Sequence, residues 1–471
     1  MTIVSPAFFG FCALVLVLYY AFPTRLQNYL LLAASYAFYL TFSWTFPLLL
    51  LAVTGVNYAL GPKLQKGRLH RRRWLVLGIV FDLAVLGFFK FAHFFVPSLI
   101  RLLSPLGLPL EGLKILLPVG LSFYSLQAIA YLVDVSRGQA APSRNIVAFA
   151  LAMAYFPKLV AGPIERFRSF IPALAAPRVV DNAVLTRSLT LLTVGLVRKV
   201  VVADTLLTAV PSRLFTNPGK FSSLELVIWS AAFIVGLYND FAGYTDIVRG
   251  VSGFFGIELS RNFGFPLFSR NFTEFWNRWH ITLSHWLRDY VYFPLSRALV
   301  RRNPGRFNLA NLTLPPILTM VASGLWHGTG WNFMIWGFLM GLVLVAEQIP
   351  SLWRPVVSPD RRPVWRRYLA TAALWVGGLL AVVMFKASVP TALVFWKRLL
   401  TWPGGAFPDS RVFLVMIPAF WIDWVQYRRK DEFAFLAWPR LARAALLAVA
   451  ALAVFLFSRA QLNEPFIYQG F

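Results

Sequence analysis

One cysteine, nineteen acidic residues and five histidines are all that 471 positions supply of the side chains responsible for most covalent, metal and acid–base chemistry. The lone Cys12 lies within the first apolar run, so neither an intramolecular disulfide nor a multi-cysteine metal site can form. A thiol in hydrocarbon is also a poor nucleophile, because the thiolate is the attacking form. The Gly-x-Ser-x-Gly elbow, the phosphate-binding Gly-xxxx-Gly-Lys-Ser/Thr loop and the His-Glu-xx-His zinc motif are absent, which leaves serine hydrolase, ATPase and zinc protease readings without support. No metal site is expected. The start, Met1 to Pro6, lacks a basic stretch, and no small-residue cleavage site follows Tyr20, so the first apolar run is expected to remain as a helix. No low-complexity tract, long soluble linker or repeat of roughly 20–50 residues is visible.

What the chain has in abundance is hydrocarbon. With 58% hydrophobic and 14% charged residues, it reads as a polytopic membrane protein. A spanning helix needs about 20 apolar residues, which leaves little room for a soluble domain. The expected fold is an all-α, polytopic transmembrane helix bundle of about eleven spans, with residues 1–471 forming a single membrane-embedded domain. Apolar runs cover about 7–22, 28–61 with Pro47 dividing them, 74–97, 115–133, 145–163, 184–210, 224–247, 309–322, 331–349, 368–389, 411–427 and 441–458.

The net charge of +26 would suggest nucleic acid in a soluble chain. Here the basic residues cluster in the short segments 63–73, 165–187, 297–306, 354–367 and 428–443, the pattern of cytoplasmic loops under the positive-inside rule. No nucleic-acid partner is expected, and the surrounding surface is membrane lipid. A smaller share of the excess could serve an anionic substrate, since basic clefts concentrate anions.

Two stretches break the pattern. Strict alternation of spans would put the basic loop 165–187 outside unless 145–163 fails to cross, and Pro157, Gly162 and Pro163 predict a re-entrant or broken helix there. The segment 261–300 carries Arg270, Glu274, Arg278, Arg288 and Asp289, too many charges for a lipid-facing span, so it should lie at the interface or inside the bundle. Read as one helix, it puts Trp276, Trp279, His280, Leu283, Trp286, Leu287 and Tyr290 on one face. His285 then points the opposite way, towards Asp289 one turn later and an interfacial role. The Gly337/Gly341 spacing marks close helix packing.

His280 and His327 sit among tryptophans in otherwise apolar sequence. A group that takes up and releases protons is costly at membrane depth, which points to chemistry, with a neutral histidine fixing helix packing as the plainer alternative. Gly324, Gly328 and Gly330 around His327 would let the backbone bend or a ligand approach. An imidazole so placed can take the proton from a hydroxyl attacking a thioester carbonyl, with no covalent enzyme intermediate. His70 and His93 need only structural or interfacial explanations.

The stretch Phe275-Trp276-Asn277-Arg278-Trp279-His280-Ile281-Thr282-Leu283-Ser284, then Leu287-Arg288-Asp289-Tyr290 and Leu325-Trp326-His327-Gly328, closely resembles the membrane-bound O-acyltransferase family, in particular the bacterial branch that acylates cell-surface polymers. Leu117-Pro118-Val119-Gly120-Leu121-Ser122-Phe123-Tyr124, residues 156–164 and the closing Pro465-Phe466-Ile467-Tyr468 extend the resemblance over the whole chain. It implies a helix bundle in the bacterial inner membrane, in which a cytoplasmic and an extracytoplasmic funnel meet at the catalytic histidine. His327 matches the family's essential histidine and His280 its second polar site residue. It also implies no bound cofactor. The co-substrate would be an acyl thioester, acetyl-CoA or an acylated carrier protein, and the acceptor a polysaccharide or an extracytoplasmic acyltransferase partner. The resemblance is to the alginate O-acetylation proteins above all, while the D-alanine teichoic-acid exporters share the two-histidine core.

The leading expectation is O-acyl transfer with His327 as general base, acetyl as the expected group, and His280 orienting the acceptor or stabilising charge. Asn277, Ser284 and Trp326 are candidate pocket residues. Arg278 and Arg288 could meet donor phosphates or anchor at the interface. D-alanyl transfer from a carrier protein to teichoic acid is the alternative within enzymes. A proton-coupled transporter is the alternative outside them, although two matching halves with paired broken helices are not evident.

Overall fold

Lipid offers no partner to backbone N–H and C=O groups, so apolar runs take the form that satisfies its own hydrogen bonds, and among the described residues every regular element is helical. The computed structural model describes residues 1–65, 67, 69–103, 116–304, 308–353, 363–405 and 409–458. The closing motif Pro465–Tyr468, residues 354–362 of one basic loop and Arg306 of another therefore lie outside the described residues. Among the described residues, seven helices are long and apolar enough to cross a bilayer by length and composition, and Pro6–Ala21 is a shorter apolar one. Exposed apolar side chains along them, such as Val76, Val80 and Leu83 or Val449, Leu452 and Leu456, suit lipid as the surrounding solvent.

The chain divides into two compact units. The first comprises residues 1–184 and 251–260. It holds α1 (Pro6–Ala21), α2 (Thr24–Leu40), α3 (Thr45–Leu60), α4 (Arg71–Leu103), α5 (Leu121–Arg137), α6 (Ile146–Ala154), α7 (Phe156–Leu159) and α8 (Phe167–Ala175). Local signals set the ends: Ser5 Oγ caps α1 by accepting from Phe8 N at 3.2 Å, and Asn145 Oδ1 caps α6. Gly120 and Gly138, with φ of 81° and 72°, bracket α5. The run 145–163 is broken at Tyr155, as its prolines and glycine predict, and α6 at about 1.5 Å per residue is far short of a ~30 Å hydrocarbon core.

The second unit comprises residues 185–250 and 261–471. Its elements are α9 (Asn182–Leu196, from Leu185 on), a π-helical Val197–Ala203, α10 (Asp204–Ala209) and α11 (Ser223–Phe254, up to Gly250). Next come α12 (Phe272–Trp276), α13 (Ile281–Leu287), a π-helical Arg288–Tyr292 and α14 (Phe293–Arg302). The last are α15 (Leu309–His327), α16 (Trp331–Trp353), α17 (Val364–Lys386), α18 (Val389–Thr401), α19 (Arg411–Arg429) and α20 (Arg440–Ser458). Its core joins Leu226, Phe233 and Val235 of α11 to Met320, Trp336, Val383 and Phe395. The expected close packing at Gly337 and Gly341 joins α16 to α15: a Cβ at Gly341 would lie 2.6 Å from Ile317 Cα, and one at Gly337 2.9 Å from Val321 Cα.

The segment 276–290 is not one helix. Helix α12 stops at Trp276, the chain turns through Asn277–Trp279, and α13 starts after His280, whose φ of 41° is left-handed. That break redistributes the single apolar face expected from a continuous helical period.

Candidate active site

Residues 261–264 clasp the turn before α13. Asn262 O accepts from Ile281 N at 2.8 Å, and Asn262 Oδ1 accepts from Thr282 Oγ1 at 2.7 Å and Thr282 N at 3.2 Å. Gly264 N donates to Arg278 O at 2.8 Å. A left-handed histidine costs backbone energy, and this set of bonds holds it. His280 is thereby turned inward, 1% exposed and edge-on to Phe241 at 4.7 Å between ring centroids. Burial pushes its imidazole well below the ordinary range, so it stays neutral, with one nitrogen to donate and one to accept.

α12 is anchored from the opposite wall. The Glu347 carboxylate of α16 accepts from Phe272 N at 2.6 Å, Thr273 N at 2.9 Å and Thr273 Oγ1 at 2.8 Å, which satisfies donors at the helix start. Asn271 Oδ1 adds the cap by accepting from Glu274 N at 2.7 Å. Glu274 binds Arg270 and Arg278. Burial opposes its ionisation, but the Arg270 hydrogen bonds and the Arg278 charge hold its carboxyl below the usual range. The result is a fixed Trp276, whose buried Nε1 has no acceptor among the described residues.

His327 is the last residue of α15 and 5% exposed. Its ring lies 4.9 Å from Trp326, 5.1 Å from Phe385 and 5.8 Å from Trp336, all edge-on. The flanking glycines admit the chain itself: Gly324 receives the Phe333 backbone and Gly328 the Phe333 ring. The close approach foreseen at these glycines is thus an internal one.

Two cavities meet at this histidine. An aromatic one of about 130 Å³ is lined by Phe275, Trp276, Trp279, His327, Trp336 and Phe385, with Tyr238 at its edge. A more polar one of about 230 Å³ is lined by His280, Ser284, Thr319, Ser323 and His327 and again by Trp276 and Trp279. His327, Trp276 and Trp279 therefore form a common wall.

Among the sequence candidates, His280, His327, Asn277, Ser284 and Arg288 all line the polar cavity. Trp326 stands behind it, touching both imidazoles. Arg278 is directed elsewhere: it bonds Glu274 at 2.6 Å and lies over the Tyr427 ring. His285, expected on the opposite face, lines the same cavity as His280, because the left-handed turn resets the helical phase after residue 280. Among the described residues, no three His, Cys, Asp or Glu side chains gather as a metal site.

Sequence reading missed a buried charge cluster beside the aromatic cavity. Arg198, in the π-helical turn, donates to Asp423 at 2.5 Å and Asn239 at 3.0 Å, and Tyr238 OH donates to the same Asp423 at 2.8 Å. Lys199 bridges Asp204 and Asp240, both at 2.6 Å. The available signal was opposite charges within separate apolar runs, which must pair to be tolerated.

Apolar helices long enough to span a bilayer, with two cavities meeting at a buried histidine, describe a polytopic membrane protein with an internal site. The profile of the membrane-bound O-acyltransferase family matches residues 29–385, and the chain belongs to that family of acyltransferases. The chain is similar to the probable alginate O-acetylase AlgI of Azotobacter vinelandii, 39% identical over 345 residues that cover 72% of this chain and 67% of that protein. It is 31% identical to the peptidoglycan O-acetyltransferase of Helicobacter pylori over 68% of this chain and 64% of that protein. It is also 26% identical to the teichoic acid D-alanyltransferase of Streptococcus thermophilus, over 65% and 74% respectively. The chain thus spans about two thirds of the length of these acetylating relatives.

Proposed function

We propose that this multi-pass protein of the bacterial inner membrane moves a short acyl group, acetyl foremost, from a cytoplasmic thioester to hydroxyls of an extracytoplasmic polysaccharide, directly or through an extracytoplasmic acyltransferase partner. The observation that carries the reading is the position of His327 on the wall shared by an aromatic and a polar cavity. The aromatic cavity suits the acyl end of the donor, acetyl-CoA or an acylated carrier protein. At about 130 Å³ it compares with an apolar cavity of roughly 150 Å³ that takes benzene, which supports an acyl group of a few heavy atoms over a fatty chain. The polar cavity suits the acceptor.

In this reading His327 removes the hydroxyl proton as the acceptor oxygen bonds to the acyl carbon. The carbonyl oxygen takes up negative charge, and we assign as its donor the Nε1–H of Trp276, a residue of the common wall whose indole nitrogen has no acceptor among the described residues. The carbon–sulfur bond then breaks, and the proton held by His327 passes to the departing thiolate. His280 orients the acceptor from the polar side.

Labelled acetyl-CoA and a D-alanyl carrier protein, each given to the purified full chain with a polysaccharide or teichoic-acid acceptor, test this reading. Transfer from acetyl-CoA that His327→Ala lowers by about 10²–10⁴-fold, with folding unchanged, is the expected result. Near-normal transfer by that variant removes the base. Turnover of the carrier donor alone favours D-alanylation.

A further inference from the structure

α20 leaves an unfilled groove in the second unit. A cavity of about 620 Å³ runs between it, α19 and the π-helical turn, walled by Val197, Val201, Ile417, Ile422, Leu446 and Ala450. Of the helix's nineteen residues only Ala450 is buried. At one end stand Arg440 and Arg443; no carboxylate lines the groove, and neither guanidinium forms an ion pair among the described residues. Trp421 lines the same end and packs on Phe435 at 5.4 Å and Trp438 at 5.9 Å, an aromatic group of the kind that sits at headgroup level. From Arg440 to Ala453 the wall is about 20 Å long at 1.5 Å per residue, enough for an acyl chain through one leaflet of a ~30 Å core.

We propose that this groove binds one anionic phospholipid, with an acyl chain against Val201, Ile422 and Ala450 and its phosphate between Arg440 and Arg443. Charge complementarity selects this occupant. An apolar trough alone would accept any lipid, whereas two guanidiniums at its mouth with no carboxylate partner among the described residues favour a headgroup with net negative charge. The same end carries Arg428 and Arg429 of α19 and Lys430 just after it, the positive-inside signature of the cytoplasmic leaflet, where basic pockets between helices meet anionic lipid. The site shares no lining residue with either cavity at His327 and is independent of the acyl-transfer reading.

Native mass spectrometry of the full chain in detergent, titrated with phosphatidylglycerol or phosphatidylcholine of identical acyl chains, tests it. The expected preference for phosphatidylglycerol is about five-fold per arginine, roughly thirty-fold for the pair. Arg440→Gln with Arg443→Gln should bring it near one without weakening phosphatidylcholine binding, and Ala450→Trp should reduce both lipids by filling the trough. Arg301→Gln with Arg302→Gln, a basic pair on α14, should leave the preference intact. Equal binding of both lipids by the unaltered chain, a preference that survives loss of Arg440 and Arg443, or an equal loss in the α14 variant would overturn the proposal. So would a groove closed by a second copy, seen as a dimer mass without lipid.

Discussion

The imidazoles of His280 and His327 lie edge-on to the same indole, that of Trp326, with ring centroids 5.8 and 4.9 Å away. Trp326 thus fixes the separation of two groups that reach the chain's interior from unrelated helices. Its truncation to alanine should cost about 3–5 kcal/mol of stability, the usual range for a large buried aromatic, and loosen both rings. Trp326→Phe, which keeps an aromatic spacer, should retain most stability and lose activity mainly in kcat. Thermal unfolding in detergent and steady-state kinetics separate these effects; an alanine variant with normal turnover would show that the indole holds neither ring.

Trp276 offers a sharper test, because one atom distinguishes its two possible roles. Trp276→Phe keeps the aromatic wall between the cavities and deletes the buried Nε1–H. If that donor meets the developing oxyanion, kcat should fall by about 10²–10³-fold with KM for the donor little changed. A loss confined to KM would make the residue a packing wall only.

Sequence reasoning singled out the two histidines because titratable groups are scarce and costly in apolar, aromatic stretches, and it expected a break within 145–163 because Pro157, Gly162 and Pro163 interrupt that run; the break falls at Tyr155, just before Pro157 in the first turn of α7. It misjudged the phase of 276–290. A positive φ at a histidine is not written in the local hydrophobic period; Asn262 imposes it through bonds to Ile281 and Thr282. The Arg198–Asp423 pair was equally hidden, since its partners come from distant apolar runs and pairing is a property of packing. Trp276 was visible as an aromatic on a face, but its unsatisfied donor was not.

Because His285 shares the polar cavity with His280, the two residues should differ in kind of effect as well as in degree. His280 is buried and held by the clasp at Asn262, so His280→Ala should lower kcat by about a hundred-fold through acceptor misplacement. His285 is partly exposed on the cavity wall, and His285→Ala should raise the acceptor KM by about five-fold, one ordinary hydrogen bond, with kcat intact. Equal losses of kcat would assign both to one function.

Acid should weaken the second unit through Glu432. Its carboxylate accepts from Arg249 at 2.8 and 2.9 Å and lies 3.6 Å from Arg261. Burial alone would raise its pKa, but the Arg249 hydrogen bonds and the charges of Arg249 and Arg261 hold it below the ordinary 4.5. A folded-state value below the unfolded one means that the ion pair's stability is fully present above about pH 4.5 and is lost as pH falls through the folded-state value. Glu432→Gln should therefore melt below the unaltered protein at pH 7, and the gap should close as the pH is taken towards 3. Melting curves in detergent across that range decide it, and a gap that stays constant would mean that the carboxylate's charge contributes nothing to the fold.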